Sequence, residues 1–330
     1  MITLSEKQIS VLRRKHYGVV GRHSAVQICR WTKKSILGEG TCYKERFYGV
    51  HAHRCAQFSP VALWCNMNCI YCWRPMEWMK NYNIGYEDVE DPETIIRGVI
   101  EERRKLLIGF LGNPKASRSR VMEALEPDHY AISLSGEPTM YPRLDEMIKL
   151  LRDKYMARTI FLVTNGQVPE MLMKLEERKA LPTQLYISVT APNKELGIRI
   201  HKPVFRDFWE RLLSSLRHMG ELGGKTRRVI RLTLIKGYNM DESYMPEFTK
   251  LIRLANPDFV EVKAYMHLGL STLRLARTNM PSHKEVRCYS ERLVNNYLNE
   301  FKVEDEQVES RIVLLKNTSS KVPTKIYSDD

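Results

Sequence analysis

The sequence predicts an α/β protein whose strands run parallel. Short apolar runs alternate with amphipathic helical stretches along most of the chain, and six such strand-helix units follow one another in order. Units of this kind need right-handed crossovers, which give either an open doubly wound sheet or a barrel. With 330 residues, 43% of them hydrophobic and 28% charged, the chain is long enough for one large core.

The first unit pairs FSPVALW (58–64) with PETIIRGVIEERRKLLIGF (92–110), whose Pro92 suits the first turn of a helix. AISLSG (131–136) then precedes PRLDEMIKLLRDKYM (142–156), and TIFLVTNG (159–166) precedes VPEMLMKLEERK. QLYISVTA (184–191) leads into VFRDFWERLLSSLRHMGEL, RVIRLTLIKG (228–237) into YMPEFTKLIRLA, and FVEVKAYMHLG (259–269) into a last helix near 282–301. A further strand, RIVLLK, is expected before a polar, frayed end. No Gly-rich dinucleotide fingerprint follows the first strand, which weakens the doubly wound alternative. No repeat, low-complexity tract or interdomain linker stands out.

Lys and Arg number 52 against 39 Asp and Glu, a formal charge of +13 with a pI near 9.3. Such a surplus suits a polyanionic partner such as nucleic acid, although small basic groups (Lys33 with Lys34, Arg227 with Arg228) equally suit a solvated surface. The opening MITLSEKQISVLRRKHYG carries charges where a signal peptide needs an apolar centre, and no run reaches the length of a membrane span. The expectation is a cytoplasmic protein, where a reducing environment makes grouped cysteines metal ligands or redox groups rather than disulfides.

The chain has seven cysteines, and three of them fall in WCNMNCIYCW: Cys65, Cys69 and Cys72. They follow the first strand, at the end where parallel α/β folds place their sites. Three soft thiolates suit iron–sulfur or zinc, but the spacing is not that of paired zinc-ribbon ligands, and a closed zinc site wants a fourth ligand. With Tyr71 before the third cysteine, the pattern resembles the radical S-adenosylmethionine (SAM) superfamily over roughly residues 55–280. That resemblance implies a partial (β/α)6 barrel with N-terminal and C-terminal extensions. The expected division is 1–57, 58–283 and 284–330.

The same resemblance implies a 4Fe-4S cluster on Cys65, Cys69 and Cys72, with one iron open to SAM, and SAM contacts from Tyr71 and from three strand ends. Ser135, Gly136 and Glu137 correspond to a segment that usually begins with a second Gly and holds the methionine amino group. Thr164 and Asn165, and then Ser188 and Thr190, stand where the ribose or carboxylate would be met. Alone, TNG reads equally well as a turn.

Cys29, Cys42 and Cys55 lie upstream and read either as buried apolar residues or as a second three-thiolate site. The segment CYKERFYGVHAHRC (42–55), with LSGEPTMYP, LYISVTAPN and FVEVKAYMHLG, is similar to the tRNA 4-demethylwyosine synthases, in a short form without a flavodoxin domain. That likeness implies two 4Fe-4S clusters on Cys29, Cys42 and Cys55 and on Cys65, Cys69 and Cys72. It also implies a tRNA-Phe substrate bearing N1-methylguanosine at position 37, pyruvate as co-substrate, and carbon–carbon lyase chemistry. An external electron donor such as flavodoxin or ferredoxin and a monomeric state complete the expectation.

Lys44 corresponds to the family's Schiff-base lysine; Arg46, burial and a cluster pocket are expected to lower its pKa, whereas a surface lysine is the plain alternative. His51, His53 and His201 are read chiefly as structural or surface residues, with contact to tRNA or the second cluster as the alternative, Cys288 as a non-ligand, and Trp73, Trp78 and Tyr82 as either base-stacking groups or packing over the barrel mouth. Other two-cluster radical SAM enzymes, such as molybdenum cofactor cyclases or tRNA methylthiotransferases, remain alternatives. So does a zinc-stabilised RNA-binding protein without catalysis.

Overall fold

The computed structural model describes residues 1–75, 78–80 and 83–327. Its centre is a run of six parallel strands: β3 (Cys55–Ser59), β4 (His129–Ile132), β5 (Thr159–Thr164), β6 (Gln184–Ser188), β7 (Arg227–Leu234) and β8 (Phe259–Ala264). The sheet is open. The antiparallel pair β1 (Tyr17–Val20) and β2 (Ser24–Gln27) extends one edge beside β3, and β9 (Phe301–Gln307) with β10 (Ile312–Asn317) extends the other beside β8. The six-stranded core is therefore the partial barrel expected, with both exposed edges covered by hairpins.

Helices α4 (Pro92–Leu107), α6 (Leu144–Asp153), α7 (Pro169–Glu177), α9 (Phe208–Glu221), α10 (Met245–Ala255) and α11 (His283–Asn296) follow the strands in turn. Their starts are chemically marked. Asp91 Oδ1 accepts from the Thr94 amide at 2.9 Å ahead of Pro92, and Ser282 and Glu285 form a reciprocal cap on α11. Ile95, Ile96 and Val99 of α4 are fully buried against the strands, each burial contributing about 1.5–3 kcal/mol.

Strand parity sorts the core into two layers. Ile132, Ile160, Leu162, Leu185 and Ile187 face the helices, whereas Ala131, Phe161, Tyr186, Val229 and Phe259 face the opposite side. That inner layer is filled by Tyr43, Phe47 and Tyr48 of the short helix α3 (Tyr43–Tyr48), with Val50, Ile312 and Leu314. The N-terminal segment thus plugs the lumen.

Three expectations are corrected. The first parallel strand is Cys55–Ser59 and not 58–64, because residues 60–64 turn back to carry the cysteine loop. Two helices, α5 (Arg118–Leu125) and α8 (Lys194–His201), sit within crossovers where no element was expected. The polar end is not frayed through residue 327: the Ile326 amide donates to the Tyr48 carbonyl at 2.9 Å and the Tyr327 hydroxyl to the Arg158 carbonyl at 2.6 Å. No helix among the described residues is long and apolar enough to cross a membrane.

Candidate active site

The loop after β3 carries Cys65, Cys69 and Cys72, and it hangs on the end of α8. The Asn68 and Ile70 amides donate to the His201 and Ile200 carbonyls, both at 2.9 Å, and the Val204 amide donates to the Asn66 carbonyl at 3.1 Å. His201 Nδ1 lies 3.3 Å from Cys69 Sγ, and its ring meets that of Tyr71 edge-on at 5.9 Å. Burial pulls the His201 pKa down to about 4, so the imidazole is neutral at pH 7. Tyr71 accepts from Thr190 Oγ1 at 3.1 Å, joining the cysteine loop to the end of β6.

The loop after β4 packs directly beneath. Gly136 has φ +69°, and a Cβ there would stand 2.1 Å from the Val61 carbonyl oxygen and 2.7 Å from that of Trp64, so only glycine fits. Ser135, the departure from a second glycine, is tolerated for a visible reason. Its backbone stays out of the left-handed region, and its hydroxyl donates to the Ala62 carbonyl at 2.7 Å.

Glu137 is buried, and both its oxygens accept bonds from the chain: Oε1 from the Thr139 amide (3.1 Å) and the Thr139 and Thr164 hydroxyls (2.6 Å each), Oε2 from the Asn165 amide (2.8 Å). The carboxylate thus locks the loop after β4 to the end of β5. Asn165 Nδ2 continues the lock, donating to Asn66 Oδ1 at 2.7 Å and lying 3.9 Å from Cys65 Sγ. Ser188 ends β6 in register with Arg231.

The upstream cysteines converge from three elements. Cys29 caps α2 (Arg30–Leu37), accepting from the Thr32 amide at 3.3 Å; Cys42 occupies the same position on α3; and Cys55 opens β3. Helix N-termini favour thiolates, but burial pushes Cys42 up to about 12 and Cys55 up to about 11, with Cys29 and Cys55 adding like charge on Cys42. Burial likewise pushes Cys69 up to about 12 and Cys65 well above its ordinary value. Thiols so placed become ligands only when a cationic group draws out their protons. Among the described residues no three His, Cys, Asp or Glu side chains are gathered tightly enough for a single metal ion. Cys288 is exposed and apart from both triplets.

Lys44 enters the lumen from α3. Its Nζ stands 4.1 Å from the Phe161 ring centroid and 4.9 Å from that of Tyr186. Phe161 is in register with Ala131 and, through it, with Gln57 in the middle of β3. The amine is therefore at a level between Cys55, which opens β3, and the loop beyond its end. Burial and then the charge of Arg231 lower its pKa.

Arg46, expected to do this, instead faces outward in a bidentate pair with Asp305 at 2.8–3.1 Å. The sequence reading missed Arg231, Glu261 and Lys263, which the inward parity of β7 and β8 brings beneath Lys44; charged residues inside two otherwise apolar strands were the available signal. Burial, reinforced by Arg231, lowers Lys263 to about 8.

His51 and His53 lie beside the upstream triplet, the His51 amide on His129 Nε2 at 3.3 Å and His53 Nε2 2.8 Å from Glu123. Trp73 is 45% exposed beneath the Arg74 guanidinium, Trp78 packs on the main core, and Tyr82 lies outside the described residues.

A family model for the radical SAM superfamily matches residues 59–245, and one described as wyosine base formation matches 254–317. The S-adenosyl-L-methionine-dependent tRNA 4-demethylwyosine synthase of Pyrococcus abyssi is 46% identical over 94% of this chain and 89% of its own length. The chain belongs to the tRNA 4-demethylwyosine synthase family. A second family member, from Methanocaldococcus jannaschii, is 36% identical over 98% of this chain and 100% of its own. A solved structure of TYW1 with a lysine-pyruvate adduct bound superposes with a TM-score of 0.85 at 35% identity, covering 98% of this chain and 100% of that one. A crystal structure of archaeal TYW1 gives 0.78 at 32% identity, with the same coverage.

Membership in this SAM-dependent family implies a 4Fe-4S cluster, and the residues present fit one. Cys65, Cys69 and Cys72 are three soft donors on one anchored loop, and the glycine at 136 keeps the adjoining backbone free of a side chain.

Proposed function

We propose that this synthase condenses N1-methylguanosine at position 37 of tRNA-Phe with two carbons of pyruvate, as a carbon–carbon lyase working through a Schiff base at Lys44. The reading rests above all on Lys44, an amine in the lumen over Phe161 and Tyr186 whose protonation burial and Arg231 both oppose. A lysine-pyruvate adduct in a relative 35% identical over nearly the whole chain supports it. An unprotonated amine attacks the keto carbon of pyruvate and expels water, and Phe161 and Tyr186 keep the resulting imine away from bulk solvent.

Cys65, Cys69 and Cys72 hold the SAM-binding 4Fe-4S cluster, and Cys29, Cys42 and Cys55 a second one. Ser135 and Gly136 present backbone to the methionyl end of SAM. Glu137 orders that segment through its bonds to Thr139, Thr164 and Asn165, while Tyr71, Ser188 and Thr190 would line SAM when it is bound. When bound and reduced, the cluster with SAM supplies a 5'-deoxyadenosyl radical able to take hydrogen from the N1-methyl group. An external flavodoxin or ferredoxin serves as electron donor, and the chain works as a cytoplasmic monomer.

The test is an anaerobic assay of reconstituted protein with SAM, dithionite, pyruvate and tRNA-Phe bearing N1-methylguanosine, read by nucleoside mass spectrometry. Formation of 4-demethylwyosine that Lys44→Ala abolishes is the expected result. Release of 5'-deoxyadenosine without the tricyclic base would keep the radical chemistry and overturn the substrate. Zinc in place of iron and sulfide in the purified protein would overturn both.

A further inference from the structure

Two guanidinium groups are buried with N–H groups that meet no acceptor among the described residues. Arg103, fully buried, gives one Nη2 to the His53 and Cys55 carbonyls, at 2.7 and 3.3 Å, and leaves Nε and Nη1 without partners. Arg74, 3% exposed, gives Nη1 to the Tyr17 hydroxyl and to Gln27 Oε1 at 2.9 Å, and leaves Nε and Nη2 without partners. Its Cζ lies 3.5 Å from the Trp73 ring centroid and 5.1 Å from that of Tyr17, so it has little freedom to turn toward water. A cation held dry with more than half its donors unused needs an anionic neighbour.

The place of Arg74 says what that neighbour is. It follows Cys72 by two residues, and its partner Gln27 precedes Cys29 by two, so one side chain staples the segment bearing the last cysteine of the loop to the segment bearing the first upstream cysteine. Negative charge at Cys72 and at Cys29, once those thiols serve as ligands, would both favour the guanidinium. A 4Fe-4S core on three thiolates is a net anion, and each electron it accepts adds negative charge.

We propose that Arg74 is a counter-charge shared by the iron–sulfur groups of the two cysteine triplets, a positioning residue that fixes their separation and raises the reduction potential of both. The upstream half of this rests on the two-cluster reading above. The guanidinium stays protonated throughout, and the single electron delivered by the external donor enters the core next to a fixed positive charge. Reduction is correspondingly easier than it would be beside a neutral side chain.

The test is a redox titration of the reconstituted full chain followed by electron paramagnetic resonance, with iron and sulfide analysis, for wild type, Arg74→Met and Arg74→Lys. The expected result is a shift of both signals to more negative potential in Arg74→Met at unchanged iron content, with Arg74→Lys in between. Wild-type potentials in fully loaded Arg74→Met would overturn the proposal. Should Arg74→Met fail to load, Arg74→Gln decides, because it removes the charge while keeping hydrogen-bonding groups in its place: a negative shift supports the role and no shift refutes it. Wild-type protein binding about four irons instead of about eight would refute the second cluster separately. Arg74 is then judged on the remaining signal, where the same shift supports its role and no shift overturns it.

Discussion

Glu261 lies wholly buried against Arg231, with Oε2 2.8 Å from Nη2 and 3.1 Å from Nε, while the Tyr48 hydroxyl donates to its other oxygen at 2.9 Å. Arg231 Nη2 also donates to the Tyr43 hydroxyl at 2.7 Å, so the residue preceding Lys44 is bound into the same network. The cation that opposes protonation of Lys44 is thereby fixed in place.

Arg231→Met is expected to move the pH profile of pyruvate trapping at Lys44 to higher pH. Arg231 disfavours the ammonium and Glu261 favours it, so losing the guanidinium and exposing Lys44 to the lone carboxylate both raise the lysine pKa. Cyanoborohydride trapping followed by peptide mass spectrometry, across pH 6 to 10, measures it; an unmoved profile means burial alone activates Lys44. The same substitution strands Glu261 and is expected to cost about 3–5 kcal/mol of stability, seen in denaturant titration.

Gly136→Ala is expected to destabilise the site by about 1–3 kcal/mol or more from backbone strain alone, before its clash with the Val61 and Trp64 carbonyls is counted. SAM binding measured by calorimetry should weaken with it, whereas Ser135→Gly should lose only one hydrogen bond, worth about 0.5–1.5 kcal/mol.

In cluster-free protein at pH 8, Cys42, Cys55 and Cys69 are expected to alkylate many-fold more slowly than exposed Cys288, because burial both raises their pKa values and shields them from the reagent. Timed iodoacetamide labelling with mass spectrometry checks this. Rates equal to that of Cys288 would mean that burial does not hold these thiols neutral.

His201→Phe is expected to speed loss of iron to a chelator several-fold, since it removes the Nδ1 contact to Cys69 Sγ while keeping a ring against Tyr71. His201→Gln, which keeps a donor, should fall between, and the half-life of the visible absorbance reads both.

The order of the parallel strands and the cysteine loop were legible because each rests on local signals, apolar runs of strand length and thiols spaced within one loop, although the first strand begins at Cys55, ahead of its apolar run. β1, β2 and α8 were not, since YGVV, SAVQ and KELGIRIH carry weak periodicity and owe their form to the edges and loops they pack on. Lys44 was singled out by resemblance to the family and by its flanking cysteines, but its electrostatic partner was misread. Arg46 is near in sequence and points away, while Arg231 is distant in sequence and is brought beneath it by strand parity. Arg74 was invisible as a site residue because nothing in the string WCNMNCIYCWR tells that Gln27 will lie against it.

β3 begins with a member of one thiol triplet and runs directly into the loop that bears the other. Its ladder with β4 pairs Cys55 with His129 and Phe58 with Ile132. That makes the strand a spacer with a discrete scale. The gap between the two triplets changes only in whole residues, and a slip of one would turn Cys55 out of the lumen while dragging Cys65 off Asn165. The separation of Cys55 from the cysteine loop is consequently a property of backbone hydrogen bonding, insensitive to which side chains happen to fill the lumen.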